Sequence, residues 1–146
     1  MSVVVVNRNP STATSTNVVV ENAVYTPDPG TPGTVGVAVR AERNLDGSTT
    51  FYAVGSALTD KPQSFYGFLT RGGGTGVIIA TGRGSLVNPI VEGDIPLVPD
   101  VDVYLSAVPG RVTQNPITND GHAQLRVGVA LSATQMIIAT DSRINF

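Results

Sequence analysis

There is no cysteine anywhere in these 146 residues. That excludes disulfides, thiolate metal sites and thiol nucleophiles, and it leaves the redox compartment undecided; stability must come from packing, backbone pairing or association. Histidine is nearly absent too. The single one, His122, sits in ITNDGHAQ, a turn-like segment, and reads as a surface residue. No G-x-S-x-G elbow surrounds a serine and no H-E-x-x-H is possible, so the standard hydrolase signatures are missing. Charged residues are only 14% and the net charge is -2, which provides no global attraction to nucleic acid or to acidic membranes; a basic partner or a neutral surface fits better. Aromatics are 5%, and the cluster Phe65, Tyr66 and Phe68 near Arg71 reads as core plus rim rather than a stacking platform. Neither nucleic acid nor membrane is expected as a partner. No apolar run approaches the ~20 residues that span a bilayer, and the four valines Val3, Val4, Val5 and Val6 are too short and too uncharged in front for a signal peptide. The expectation is a soluble, unprocessed chain.

What is present is β-forming. Val, Thr, Ser, Gly and Pro are prominent; the β-branched residues favour strands, and Gly and Pro favour frequent turns. The length suits one domain that buries roughly 70% of its unfolded surface. Residues 1–16 combine the valine run, Arg8, a Pro10 break and a Ser/Thr-rich tract. They read as an extended N-terminal arm that could reach roughly 50 Å, or as a terminus whose valines pair with a sheet edge. Residues 17–146 read as one β domain, with N-terminal strands and a hairpin in 17–60 and a barrel region in 61–146.

Within it, residues 17–25 form a strand candidate, and TPDPGTPG after it is a turn or short linker. Val35, Val37 and Val39 alternate with Gly36, Ala38 and Arg40, as a half-buried strand would. Asp46-Gly47 then predicts a tight hairpin to TTFYAV. VIIA at residues 77–80 is apolar on both faces, as a central strand would be. Val101, Val103 and Leu105 alternate up to Pro109-Gly110, which suit the middle of a type II turn. Leu125, Val127, Val129 and Leu131 alternate before a turn near residues 132–134 and the run QMIIAT, again a hairpin. VGVAV at 35–39 and VGVAL at 127–131 place a glycine on the outward face, where another backbone can approach.

Chemistry is scarce. RGGGTG at residues 71–76 suggests a phosphate loop, but Lys61 is misplaced and no helix pattern follows; a flexible loop fits better, and a contact site that orders only against a partner, with Arg71 and Gly73 as contact residues, stays open beside it. Glu92, Asp94, Asp100 and Asp102 lack the regular spacing of a Ca²⁺ loop and read as solvent-facing acids. No catalytic residue, metal ligand or cofactor is assigned, and the chain is not expected to be an enzyme. The valines at 3–6 and Arg8 complete the candidate contact set.

Residues 100–139, DVDVYLSAVPGRVTQNPITNDGHAQLRVGVALSATQMIIA, resemble the small capsid decoration, or cement, proteins of tailed bacteriophages: a VYLS strand, a Pro-Gly turn, RVT, a polar loop, then VGVAL and a terminal apolar strand. The preceding ATGRGSLVNP and VEGDIPLV are similar to that family's glycine-punctuated barrel. The resemblance implies an all-β chain with a small barrel of the β-tulip type, assembled as a homotrimer on the outer surface of the head. Its partner there would be the major capsid protein. Two alternatives stand beside it: another phage structural part, such as a tail or head-fibre protein, and a carbohydrate-binding β module.

Overall fold

The structure, a computed structural model, describes residues 17–31, 35–71, 76–141 and 143–146. The whole arm at 1–16, with Val3, Val4, Val5, Val6 and Arg8, and Gly73 of the glycine loop lie outside the described residues. The strands are β1 (Asn17–Glu21), β2 (Ala23–Thr26), β3 (Ala38–Arg43), β4 (Thr49–Ala53), β5 (Phe65–Arg71), β6 (Gly76–Ala80) and β7 (Leu86–Val87), followed by β8 (Asp102–Leu105), β9 (Val112–Thr113), β10 (Ala123–Gln124), β11 (Arg126–Ala130), β12 (Met136–Ile138) and β13 (Ile144–Asn145). The protein is all-β, as its composition predicts.

A six-stranded sheet runs β1-β6-β5-β3-β4-β2, a five-stranded sheet runs β7-β12-β11-β8-β9, and β10 pairs with β13. The six-stranded sheet draws on strands from both sides of residue 60. It is strongly curled, because its two edge strands, β1 and β2, are consecutive in the chain with Asn22 alone between them. The continuous strand expected over residues 17–25 is therefore two. Asn22 takes a left-handed φ of 54°, which a short polar side chain tolerates; beyond it the chain leaves β6 and pairs in parallel with β4. The barrel expectation is met only as this curled sheet packed on a second one. Strand β5 supplies the bend: its register slips against β3 and again against β6, leaving Tyr66 and Thr70 as extra residues. Each bulge increases local twist. The Thr70 hydroxyl donates to the Ile78 carbonyl at 2.9 Å across the second one.

Two apolar clusters result. Ala23, Val37, Val39, Phe51, Leu69 and Ile79 fill the curl of the six-stranded sheet. Ala38, Phe68 and Ala80, their immediate neighbours in sequence, point the other way and pack with Val103, Leu105, Val127, Met136 and Ile138 of the five-stranded sheet. The half-buried strand predicted over residues 35–39 is thus corrected: Val37, Ala38 and Val39 are all fully buried, while Val35 is exposed. Ile79 and Ala80 match the two-faced apolar strand read from VIIA.

Local chemistry sets the turns. Asp46-Gly47 does close the β3–β4 hairpin, over a three-residue loop: Gly47 N donates to Asn44 O at 3.0 Å, Asn44 N to Ser48 O at 2.8 Å, and of the pair Gly47 alone has positive φ. This is the type I turn with a left-handed glycine. Pro109-Gly110 forms the expected turn, with Gly110 at φ 88° and Arg111 N donating to Val108 O at 3.1 Å. The alternation predicted over residues 124–131 breaks at a bulge, where Arg126 pairs with Tyr104 but Gly128 with Val103. Leu125 and Val127 face the core before it and Ala130 after it, so Leu131 emerges on the surface. The glycines of VGVAV and VGVAL are both approached by backbone carbonyls, of Asn88 and Ile137, yet both are buried rather than outward-facing.

Gly47 and Gly110 share nearly the same φ but not the same surroundings. A Cβ on Gly47 meets nothing within 4 Å, whereas on Gly110 it would lie 2.9 Å from Val37, 3.1 Å from Ala53 and 3.2 Å from Thr31. Gly47→Ala should cost about 1 kcal/mol, the left-handed penalty alone. Gly110→Val adds overpacking to that penalty and should cost roughly 2–5 kcal/mol. Urea midpoints at an unchanged m-value check the ratio; equal losses would contradict it.

Candidate functional site

The Pro109-Gly110 turn does not hang in solvent. Gly110 N donates to Val54 O at 2.8 Å and Ala38 N to Gly110 O at 3.0 Å, so the β8–β9 hairpin is bonded into the ends of β3 and β4. Arg111 fixes this seam. Its Nη1 donates to Val91 O and to Asp94 Oδ1, both at 3.1 Å, its Nη2 to Gly30 O at 3.3 Å and its Nε to Thr31 Oγ1 at 3.3 Å. Thr31 in turn donates to Pro109 O at 2.7 Å. One planar guanidinium therefore joins residues 30–31, 91–94 and 109–111, which a lysine's point charge cannot do.

Beside the seam lies a recess of about 160 Å³ lined by residues that include Asp28, Arg40, Tyr52, Asp60 and Pro109. The Arg40 guanidinium sits 4.6 Å over the Tyr52 ring and is ion-paired to Glu42, while its buried Nε has no hydrogen-bond partner among the described residues. Burial pushes the Asp60 carboxyl above its ordinary range; Arg40 and His122 oppose this and Asp28 adds to it. Donors and carboxylates around one aromatic suit a hydroxyl-bearing ligand. Behind the recess, Ser56 Oγ shares a 2.9 Å hydrogen bond with His122 Nδ1. His122 is thus half-buried and structural rather than a free surface residue. Ser56 is 0% exposed, so this pair presents no nucleophile to a substrate.

Of the residues singled out in the sequence, Asp46, Gly47, Pro109 and Gly110 stand at turns. Asp46 accepts from Ser48 N at 2.9 Å and from the Ser48 hydroxyl at 2.6 Å, and these bonds hold its carboxyl below the usual range. Arg71 is the last residue of β5, at the mouth of the glycine loop. The four acids are not brought together: Glu92 accepts from the Ser106 hydroxyl, Asp94 pairs with Arg111, Asp102 lies 3.6 Å from Arg126, and Asp100 sits in a turn at φ 65°. Among the described residues no three such side chains could hold a metal ion together. No helix among them is long and apolar enough to cross a membrane. Sequence reasoning missed Arg111 and the Ser56–His122 pair. Arg111 had a local signal, since it directly follows the turn; Ser56 and His122 are far apart in the chain and had none.

Comparison with protein families, with curated proteins and with solved structures finds no match for this chain.

Two outcomes follow from this geometry. Arg111→Lys should lower stability by roughly 1–3 kcal/mol, through lost charge-assisted bonds, with the fold retained. A denaturation midpoint equal to wild type would show the seam closes without the fork. Asp60, whose folded carboxyl titrates above its unfolded value of about 3.9, favours folding only while protonated. Its contribution is complete below about pH 4 and is lost as pH rises through the folded pKa. Asp60→Asn should therefore gain in thermal midpoint over wild type between pH 4 and neutrality. The difference between the two proteins isolates this effect from Glu42 and Asp46, whose lowered carboxyls act in the opposite sense; a constant difference across that range would refute it.

Proposed function

We propose that the protein is a structural component of a phage virion that binds the outer surface of the capsid and stabilises the expanded shell by bridging major capsid subunits. The observation that supports this reading most directly is the layout of residues 100–139, on which the resemblance to decoration proteins rests. Four of their five strands, β8, β9, β11 and β12, lie in one sheet, and Pro109-Gly110 turns where the motif requires. The surface suits protein contact with little charge: Val19, Val24, Val35, Leu45, Ile95 and Val98 are all well exposed. In this reading no residue performs a chemical step, the working form is a homotrimer that closes exposed strand edges by symmetry, and neither nucleic acid nor membrane is a partner.

Binding that exists only in the assembled shell stabilises it by mass action. An occupancy at 100 times the dissociation constant is worth roughly 2.7 kcal/mol per site. Purified protein should bind emptied, expanded capsids and not unexpanded precursors, decorated heads should survive heating and osmotic shock better than bare ones, and light scattering should report a trimer. Equal survival with and without the protein, or equal binding to both capsid forms, would sink the reading. The recess at Asp28, Arg40, Tyr52 and Asp60 favours a second one, a carbohydrate-binding module, for which a glycan array is the direct assay; the same capsid experiment separates it from a tail or head-fibre part.

A further inference from the structure

Next to the seam, a groove of about 470 Å³ is lined by apolar residues that include Ile90, Ile95 and Ala133 and by the polar Asn88, Asp94 and Thr134. Backbone bonds hold its walls. Ile90 N donates to Gly36 O at 3.2 Å and Val112 N to Ile90 O at 2.9 Å, which tie the floor to both sheets, and Leu97 N donates to Ala133 O at 2.9 Å on the outer side. The apolar surface continues past it. Asp100 N donates to Ala130 O and Ala130 N to Val101 O, so the 95–101 strip lies beside Leu131. Ile95 and Val98 are each 58% exposed and Leu131 41%.

Acids outnumber bases around this surface, although Arg111 pairs with Asp94 and Arg126 with Asp102 and Asp141. Residues 84–110 contain Glu92, Asp94, Asp100 and Asp102 but neither Lys nor Arg, and residues 127–142 contain Asp141 and again no basic residue. Of the two arginines, Arg111 is committed to Asp94 and three carbonyl or hydroxyl groups of the seam, which leaves Asp100 without an ion pair among the described residues. An occupant that fits is extended, apolar and followed by a positive charge. Among the residues outside the described set, one run has that pattern: Val3, Val4, Val5 and Val6, then Asn7 and Arg8, in a stretch of sixteen residues without an acid. Residues 9–16, fully extended, would span roughly 26 Å, against a radius of gyration of roughly 14 Å for a domain of this size.

We propose that the Val3, Val4, Val5 and Val6 run of this chain docks in the Ile90–Ile95–Ala133 groove, with Arg8 against Asp94 and Asp100. The valines cover apolar surface as an added extended segment does, and the arginine sets its direction. This does not depend on the capsid reading, because it concerns the chain alone.

The absence of cysteine makes the test clean. A full-length Val5→Cys, Ala133→Cys variant, mildly oxidised without any capsid present, should form its disulfide at least about tenfold faster than a Val5→Cys, Leu45→Cys control, since docking raises the effective concentration of the pair. Leu45 is as open to solvent but lies on the β3–β4 turn. A product of single-chain mass shows that the run docks on its own domain and supports the proposal, whereas a dimer band as the main product would overturn it. Adding Ile95→Asp or Arg8→Glu should bring the rate down to that of the control. Equal rates for the two pairs, or a fast rate that neither addition slows, would overturn it and leave the groove to another partner.

Discussion

The structure depends on residues 37–39, 68–69 and 79–80 being buried on both faces of the six-stranded sheet. A strand sends successive side chains in opposite directions, so Val37 and Val39 enter the curl while Ala38, between them, meets the second sheet. Leu69 and Phe68, and Ile79 and Ala80, divide in the same way. A single layer of backbone thus separates two cores, and neither sheet can be removed without exposing the other's apolar face. A chain without disulfides and with few charges has little else to hold it, since apolar burial is the dominant favourable term in folding.

That arrangement explains why local irregularities matter. The bulges at Tyr66 and Thr70 curl the sheet enough for β1 and β2 to meet at Asn22, and the curl creates the inner core. The bulge in β11 moves the inward face from odd to even residues, which buries Ala130 and delivers Leu131 to the surface beside Val98 and Val101. A rearrangement made for core packing therefore also enlarges an apolar surface. The seam shows the same economy: the turn that closes β8–β9 brings Arg111 to three segments, and the recess and the groove lie beside it.

Buried polar atoms such as those of Ser56, Thr31 and Ser106 are consumed by bonds within the fold, to His122, Pro109 and Glu92. Exposed valines, isoleucines and leucines are spread over the sheet edges and the 95–101 strip.

The all-β class was legible from composition, and so were the turns, because Asp46-Gly47 and Pro109-Gly110 carry backbone preferences that act over three or four residues whatever surrounds them. VIIA likewise announced a strand buried on both sides. What residue patterns left open was decided by contacts between distant segments. A period of two says which side chains share a face but not whether the opposite face meets water or a second sheet, so Ala38 read as outward and is buried. A bulge costs one residue and inverts every later assignment, and the alternation over residues 124–131 looked unbroken because valine and alanine serve either face. The Ser56–His122 bond and the Arg111 seam join groups that only the folded chain brings together; nothing at either position could encode the partner. Strand and turn are properties of short segments, whereas which face is buried, and by what, belongs to the packing of the two sheets.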